Sequence, residues 1–223
     1  MSSSDVKILR VVVLISGSGS NLQALIDGVA QGDLPIEIAA VISNRPDVLG
    51  LNRATQAGIA TVVLDHKGFA SREAFDQELM RVIDAYNPGL VVLAGFMRIL
   101  TAEFTQHYLG RMLNIHPSLL PKFQGLHTHQ RAIDAGESKH GVTVHFVTAE
   151  LDGGPSVVQA VVPIIADDDA STLAKRVQRQ EHIIYPLAVK WFAQGKLAMV
   201  DGKAALDGEL LPMCGYQIEA NEP

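Results

Sequence analysis

Asn114-Ile115-His116-Pro117-Ser118-Leu119-Leu120-Pro121 sets an amide and an imidazole two residues apart, just before a loop stiffened by two prolines. In an extended strand such residues project from the same face. Placed at the strand's carboxyl end, they form a pair able to stabilise an oxyanion. The competing reading is a core histidine bonded to backbone, with Asn114 as a turn former. Two polar side chains in an otherwise apolar strand weigh against it, because burial without partners is costly. Leu151-Asp152-Gly153-Gly154-Pro155 supplies a candidate carboxylate. Asp before two glycines reads equally as a turn. It gains chemical meaning only if the fold brings it to His116, where a carboxylate favours the imidazolium.

Gly17-Ser18-Gly19-Ser20-Asn21 lies between a buried strand and a helix, where free amides and the helix N-terminus can cradle a phosphate. A dinucleotide fingerprint would need a third glycine where Leu22 stands. It would also need an acid at the end of the second strand, which reads Ile42-Ser43-Asn44. No Gly-Lys-Ser/Thr follows, so a Walker loop is excluded. A phosphate monoester is the ligand this loop fits; a tight turn without ligand stays equally open. Met97-Arg98-Ile99-Leu100 reads either as a wall for a flat heterocycle or as a packed connection. Six of the eight histidines fall between His107 and His145, and most are expected on the surface or in loops. His127 and His129 diverge at a helix start, with no Glu or Cys to complete a ligand set, so no metal is expected.

The elements that must position these groups follow from periodicity. Residues 8–16 form a nearly continuous apolar run, as a strand covered on both faces does. Further strands are expected at 36–43, 61–64, 90–94 and 112–116, with helices at 22–29, 49–57, 71–86 (capped by Ser71), 101–108 (capped by Thr101) and 128–135. Residues 141–148 and 156–163 alternate like paired antiparallel strands. Asp167 to Asp169 read as a solvated helix entry. Ser171 is expected to cap a long helix to residue 192, with Leu173, Val177, Ile184, Leu187 and Trp191 on one apolar face. The tail beyond Gly195 reads as a small hairpin. Strands alternating with helices imply an α/β fold, a doubly wound, mostly parallel sheet with helices on both faces. Ligands then bind at the carboxyl ends of the strands. The 223 residues fit a single domain, 1–223, with its catalytic core at 7–194 and a tail at 195–223.

Composition sets the outer limits. Hydrophobic residues make up 48% and charged residues 19%, as in a soluble globular protein, and the net charge of −6 argues against a nucleic-acid surface. One cysteine, Cys214, permits no internal disulfide and no cysteine-rich zinc site. The polar N-terminus lacks a signal pattern and the apolar runs are too short to span a bilayer, so a cytoplasmic protein without membrane partners is expected.

Taken together, LISGSGSNLQALID, SNRPDVLGLNRATQAGI, VVLAGFMRIL, LNIHPSLLPKFQGLHTH, HGVTVHFVTAELDGGP and RVQRQEHIIYP resemble the phosphoribosylglycinamide formyltransferases of purine biosynthesis, from about residue 11 to 192. The Asn-x-His-Pro-Ser-Leu-Leu-Pro segment is shared with other formyltetrahydrofolate enzymes; the glycine loop and the Gln-Glu-His-x-x-x-Tyr-Pro segment narrow the choice. The resemblance implies a Rossmann-like formyltransferase fold, 10-formyltetrahydrofolate as the formyl donor and 5-phosphoribosylglycinamide as the acceptor. On matching positions it implies that Asn114, His116 and Asp152 are catalytic. Gly19, Ser20, Asn21, Gln178, Arg179, Gln180 and Glu181 would bind the acceptor. Arg72, Met97, Arg98, Ile99, Leu100, Asn114, Thr148, Ala149, Glu150, Leu151 and Asp152 would bind the folate. The partners implied are these small molecules, and the chain is expected as a monomer or homodimer. A formyltetrahydrofolate hydrolase and a non-catalytic nucleotide-binding module are the alternatives. A strand starting near residue 8 leaves no room for a hydrolase's N-terminal regulatory domain, and a short acidic chain does not suit a tRNA formyltransferase.

Overall fold

A computed structural model describes residues 8–220. In chain order it contains β1 (Leu9–Ile15), α1 (Ser20–Ala30), β2 (Ile36–Ser43), α2 (Leu49–Gln56), β3 (Thr61–Val63), α3 (Arg72–Ala85), β4 (Leu90–Leu93), α4 (Ala102–His107) and β5 (Met112–His116). Then come α5 (Thr128–Asp134), β6 (Lys139–Phe146), β7 (Ser156–Pro163), α6 (Ala170–Ala193), β8 (Leu197–Val200), β9 (Lys203–Leu206), β10 (Glu209–Leu210) and β11 (Tyr216–Glu219). Eight strands share one sheet in the order β11-β7-β6-β5-β4-β1-β2-β3. From β5 through β4, β1 and β2 to the edge strand β3 the pairing is parallel, and β6 is antiparallel to both β5 and β7.

The nearly continuous apolar reading of β1 has a simple cause. Val11, Val13 and Ile15 pack on one side of the sheet with Leu22 and Leu25 of α1 and with α6. Val12 and Leu14 pack on the other with Phe75, Leu79 and Ile83 of α3 and Phe104 of α4. Successive side chains alternate faces, and from Val11 to Ile15 both faces are covered, so beyond the exposed Arg10 no position is left for a polar residue until the strand ends. Ser71 caps α3 through Ala74 N at 3.1 Å and Thr101 caps α4 through Phe104 N at 3.3 Å, as their positions in the sequence require.

Four expectations are corrected at the C-terminal side. Asp169, not Ser171, caps α6: it accepts from Thr172 N at 2.7 Å while Thr172 Oγ1 accepts from Asp169 N at 3.0 Å. The acidic run hid a second role, because Asp168 is buried against Arg176, which donates to it at 2.6 and 3.0 Å. The apolar face of α6 also turns further than the spacing implied. Leu187 and Trp191 are half-buried, whereas Tyr185, Ala188 and Val189 are fully covered. The tail exceeds a hairpin: β8, β9 and β10 form a separate antiparallel sheet and β11 extends the main sheet alongside β7.

The guanidinium of Arg176 holds Asp168 below the ordinary aspartate value of 3.8, at about 2. A carboxylate depressed in the folded state adds stability above its unfolded pKa and loses it as pH falls through its folded pKa. Stability should therefore drop between pH 3.8 and about 2 more steeply in the parent than in Asp168→Asn. Urea denaturation at a series of pH values checks this, and equal slopes would refute the assigned role.

Candidate active site

The carboxyl end of β5 carries Asn114 and His116, and its ladder with β6 fixes what faces them. Asn114 pairs across the strands with His145, and His116 with Thr143. Directly opposed residues of an antiparallel pair share a face, so His145 meets Asn114: Asn114 Nδ2 lies 3.2 Å from His145 Nε2. His145 Nδ1 lies 2.9 Å from the carbonyl of Phe146. Burial pushes the His145 pKa down, against the opposing pull of the Phe146 carbonyl and Asp152. In the neutral ring Nδ1–H donates to this carbonyl, leaving Nε2 as an acceptor. The Asn114 amide is thereby turned nitrogen-inward, with one N–H spent on His145 and its second free to donate elsewhere.

Asp152 closes the group. Its Oδ2 stands 3.5 Å from His116 Nδ1 and its Oδ1 3.9 Å from His145 Nε2, and both the His116 and Asp152 side chains are 8% exposed. The Gly125 amide donates to Asp152 Oδ2 at 3.0 Å. His116 Nε2 lies 2.9 Å from the carbonyl of Phe123, so both ring nitrogens face oxygens. Asp152 sits at φ 50, in the left-handed region that aspartate tolerates better than most residues. Two residues on, a Cβ at Gly154 would lie 1.8 Å from the Phe146 carbonyl oxygen. Glycine there lets the loop return close enough to β6 to aim Asp152 inward. The Asp-Gly-Gly turn and the carboxylate partner are thus one feature, not alternatives.

The glycine loop meets α6 on the same side of the sheet. Asn21 Nδ2 donates to Glu181 Oε2 at 2.8 Å and Gln178 Nε2 to Ser20 Oγ at 3.2 Å. Burial raises the Glu181 pKa, against the hydrogen bond from Asn21. Gln178 and Arg179 are exposed and Gln180 is half-buried. Gln178 and Glu181, three residues apart on one helical face, reach the loop. A cavity of about 490 Å³ opens beside it, between α1 and α6, with Ser20, Arg53 and His182 in its wall.

The remaining expected folate contacts divide into two segments. Met97 and Ile99 are exposed apolar residues, 61% and 58%. Arg98 lies over the Phe75 ring at 4.9 Å and Leu100 packs on the core around Phe75. Arg72 is exposed at the start of α3, and its charge, like that of Arg98, acts on Asp76. Thr148, Ala149, Glu150 and Leu151 follow β6; the last three are exposed, and Glu150 and Asp152 border a second cavity of about 510 Å³ that Lys203 and Met213 also line.

The expectation that most histidines of this stretch lie on the surface is corrected: His116, His140 and His145 are buried. His145 is the site residue that residue types alone missed, since its place opposite Asn114 depends on strand register. His140 Nε2 lies 3.2 Å from His129 Nδ1, and burial pushes His140 down to about 4. Among the described residues, no group of three or more His, Cys, Asp or Glu could hold a metal, and no helix is long and apolar enough to cross a membrane.

The chain is similar to known proteins over most of its length. The formyl transferase family matches residues 9–189. Phosphoribosylglycinamide formyltransferase of Escherichia coli K12 is 56% identical over 208 residues, 93% of this chain and 98% of the relative. The human trifunctional purine biosynthetic protein adenosine-3 is 45% identical over 197 residues, 88% of this chain and 20% of that protein. Among solved structures, phosphoribosylglycinamide formyltransferase from Coxiella burnetii superposes with a TM-score of 0.91 at 53% identity, covering 95% of this chain and 100% of that one.

Gly19 adopts φ +70, and a Cβ there would meet Gly50 Cα of α2 at 2.6 Å. Gly19→Ala should therefore cost more than about 1 kcal/mol of stability as well as weakening ligand binding. A lower urea midpoint at unchanged m-value checks this; a variant as stable as the parent refutes it.

Proposed function

The chain belongs to the formyl transferase family, and we propose that it moves the formyl group of 10-formyltetrahydrofolate onto the amine of 5-phosphoribosylglycinamide through direct attack at the site around Asp152. The products are the N-formyl ribonucleotide and tetrahydrofolate, in purine biosynthesis. The observation that carries the reading is the buried Asp152 carboxylate facing His116 and His145 beside Asn114.

The neutral amine attacks the formyl carbon on N10 and forms a tetrahedral intermediate. The free N–H of Asn114 and a ring N–H of His116, turned from its resting partner onto substrate, stabilise the oxyanion. Asp152, facing His116 at 3.5 Å, takes the proton that the attacking nitrogen must lose. N10 receives that same proton, relayed from Asp152, as the C–N10 bond breaks and the carbonyl re-forms. His145 acts through Asn114 by fixing its amide orientation. No covalent enzyme intermediate is needed, because holding two substrates in register supplies much of the rate.

Gly19, Ser20 and Asn21 hold the acceptor phosphate and ribose, with Gln178, Arg179, Gln180 and Glu181 at the same substrate and Glu181 on the ribose hydroxyls. Arg72, residues 97–100 and residues 148–152 hold the folate. The chain works as one formyltransferase domain in the cytoplasm, as monomer or homodimer, without metal, nucleic acid or membrane. A phosphate anchor serves a transferase, which must position an amine, and has no use in a hydrolase, which positions water.

His116→Ala should lower kcat by about two to three orders of magnitude, as loss of an oxyanion donor does. Asp152→Asn should also turn over poorly while keeping its circular dichroism spectrum. Near-parental turnover in either folded variant would remove the trio from the mechanism. Deformylation of the folate alone should be negligible and should become rapid once 5-phosphoribosylglycinamide is added, while glycinamide without its phosphoribosyl anchor should react poorly. Equal rates with and without acceptor would establish a hydrolase instead. Dialysis against a chelator should leave turnover unchanged.

A further inference from the structure

The segment from Met97 to Thr101 has no regular secondary structure, yet both of its ends are tied to buried polar side chains of other elements. At one end the Met97 amide donates to Ser16 Oγ at 2.8 Å. Ser16 Oγ in turn donates to Asn44 Oδ1 at 2.5 Å, and Asn44 Nδ2 abuts His66 Nδ1 at 3.2 Å. Ser16 stands just past β1 and Asn44 just past β2, and both are buried. At the other end the Thr101 amide donates to Asp76 Oδ2 at 2.6 Å. Asp76 is 1% exposed, on the inner face of α3. Among the described residues, Asp76 Oδ1 has no hydrogen-bond partner, and neither has the buried Nε of Arg98 in the middle of the segment.

Such an arrangement is costly unless something depends on it. A buried carboxylate sacrifices hydration, and burial indeed raises the pKa of Asp76 against the pull of Thr101, Arg98 and Arg72. Packing alone would be served by an apolar residue at position 76, among Phe75, Leu79 and Ile83. What Asp76 and Ser16 provide is a fixed position for the backbone amides at the two ends of the segment. Between these pins the chain presents Met97 and Ile99, both largely exposed, while Arg98 is held over Phe75. The end of β2 has no acid for a ribose hydroxyl; its polar residue Asn44 instead braces Ser16.

We propose that Asp76 and the Ser16–Asn44 pair are positioning residues for the folate, pinning the two ends of the 97–101 segment so that Met97 and Ile99 form a preset wall of the folate pocket. This rests on the reading that the segment binds folate. None of the three pinning side chains touches substrate; Asp76 and Ser16 act through a backbone amide, and Asn44 acts through Ser16. Loss of a pin lets the wall move, and the ordering lost in the free protein must be restored on binding. The cost therefore falls on folate affinity and not on the acceptor.

Steady-state kinetics with both substrates varied, joined to calorimetric binding of tetrahydrofolate, tests this. A hydrogen bond to a charged group contributes roughly 1.5–3 kcal/mol, so Asp76→Ala should raise the folate KM and Kd about tenfold or more. Asp76→Asn, whose amide oxygen still accepts from Thr101, should recover part of that loss. Ser16→Ala should raise the folate KM in the same sense, and in all three variants the acceptor KM should stay near the parental value. Asp76→Asn and Ser16→Ala carry the test if Asp76→Ala does not fold. Variants that lose thermal stability at an unchanged folate KM, or that raise both KM values alike, would show a merely structural role and overturn the proposal. Met97→Ala and Ile99→Ala separate the two readings. If these leave folate binding untouched, the segment is not a folate wall and the underlying reading fails. If they weaken it while the pin variants do not, only the pinning proposal fails.

Discussion

Asp152 brings a carboxylate into a nearly water-free space between two imidazoles. A buried carboxylate is tolerated only when charge and hydrogen bonds replace its lost hydration. His116 comes from the end of β5, His145 from the neighbouring antiparallel strand, and the Gly125 amide from the proline-stiffened loop. Each partner requires a different element to end in a particular place. The switch from parallel to antiparallel pairing at β6 follows the same need, because it is this ladder that sets His145 opposite Asn114. Gly154 then allows the chain to double back against β6 closely enough to present Asp152.

The acceptor side depends on a second long-range meeting. Asn21 and Glu181 are 160 residues apart in the chain and 2.8 Å apart in space. Their meeting requires α6 to lie firmly across the sheet, and Tyr185 secures it. Its buried hydroxyl sits 2.7 Å from the Leu93 carbonyl and 3.0 Å from that of Leu113, on two adjacent central strands. One and two turns of helix earlier, Glu181 and Gln178 consequently face the glycine loop. Helix packing and ligand recognition are thus carried by neighbouring residues of one helix.

Much of this was legible beforehand because it is local. Continuous apolar runs marked strands covered on both faces, and Ser71 and Thr101 marked helix starts. Asn114 and His116 announced a shared face by their spacing, and the quoted segments carried the family resemblance. The misreadings have a common origin. Asp168 looked solvated because its partner Arg176 lies a further two turns along a helix whose rotation about its axis is set by packing. Ser171 looked like the cap because a capping residue is chosen by backbone geometry, which Asp169 and Thr172 satisfy together.

Periodicity and residue type determined the α/β class, the order of the elements and the strand ends at which polar groups had to cluster. Those properties depend on neighbours a few residues apart, whose geometry is repeated in every strand and helix. Tertiary structure alone decided which histidine stands beside Asn114, that Asp152 reaches both rings, and that Ser16 and Asp76 hold the two ends of one loop. Except for Asp152 and His145, which face each other across a turn, these are contacts between groups 25 to 81 residues apart. Their distances are set by strand register and helix rotation, quantities that arise only when the two faces of the sheet pack simultaneously.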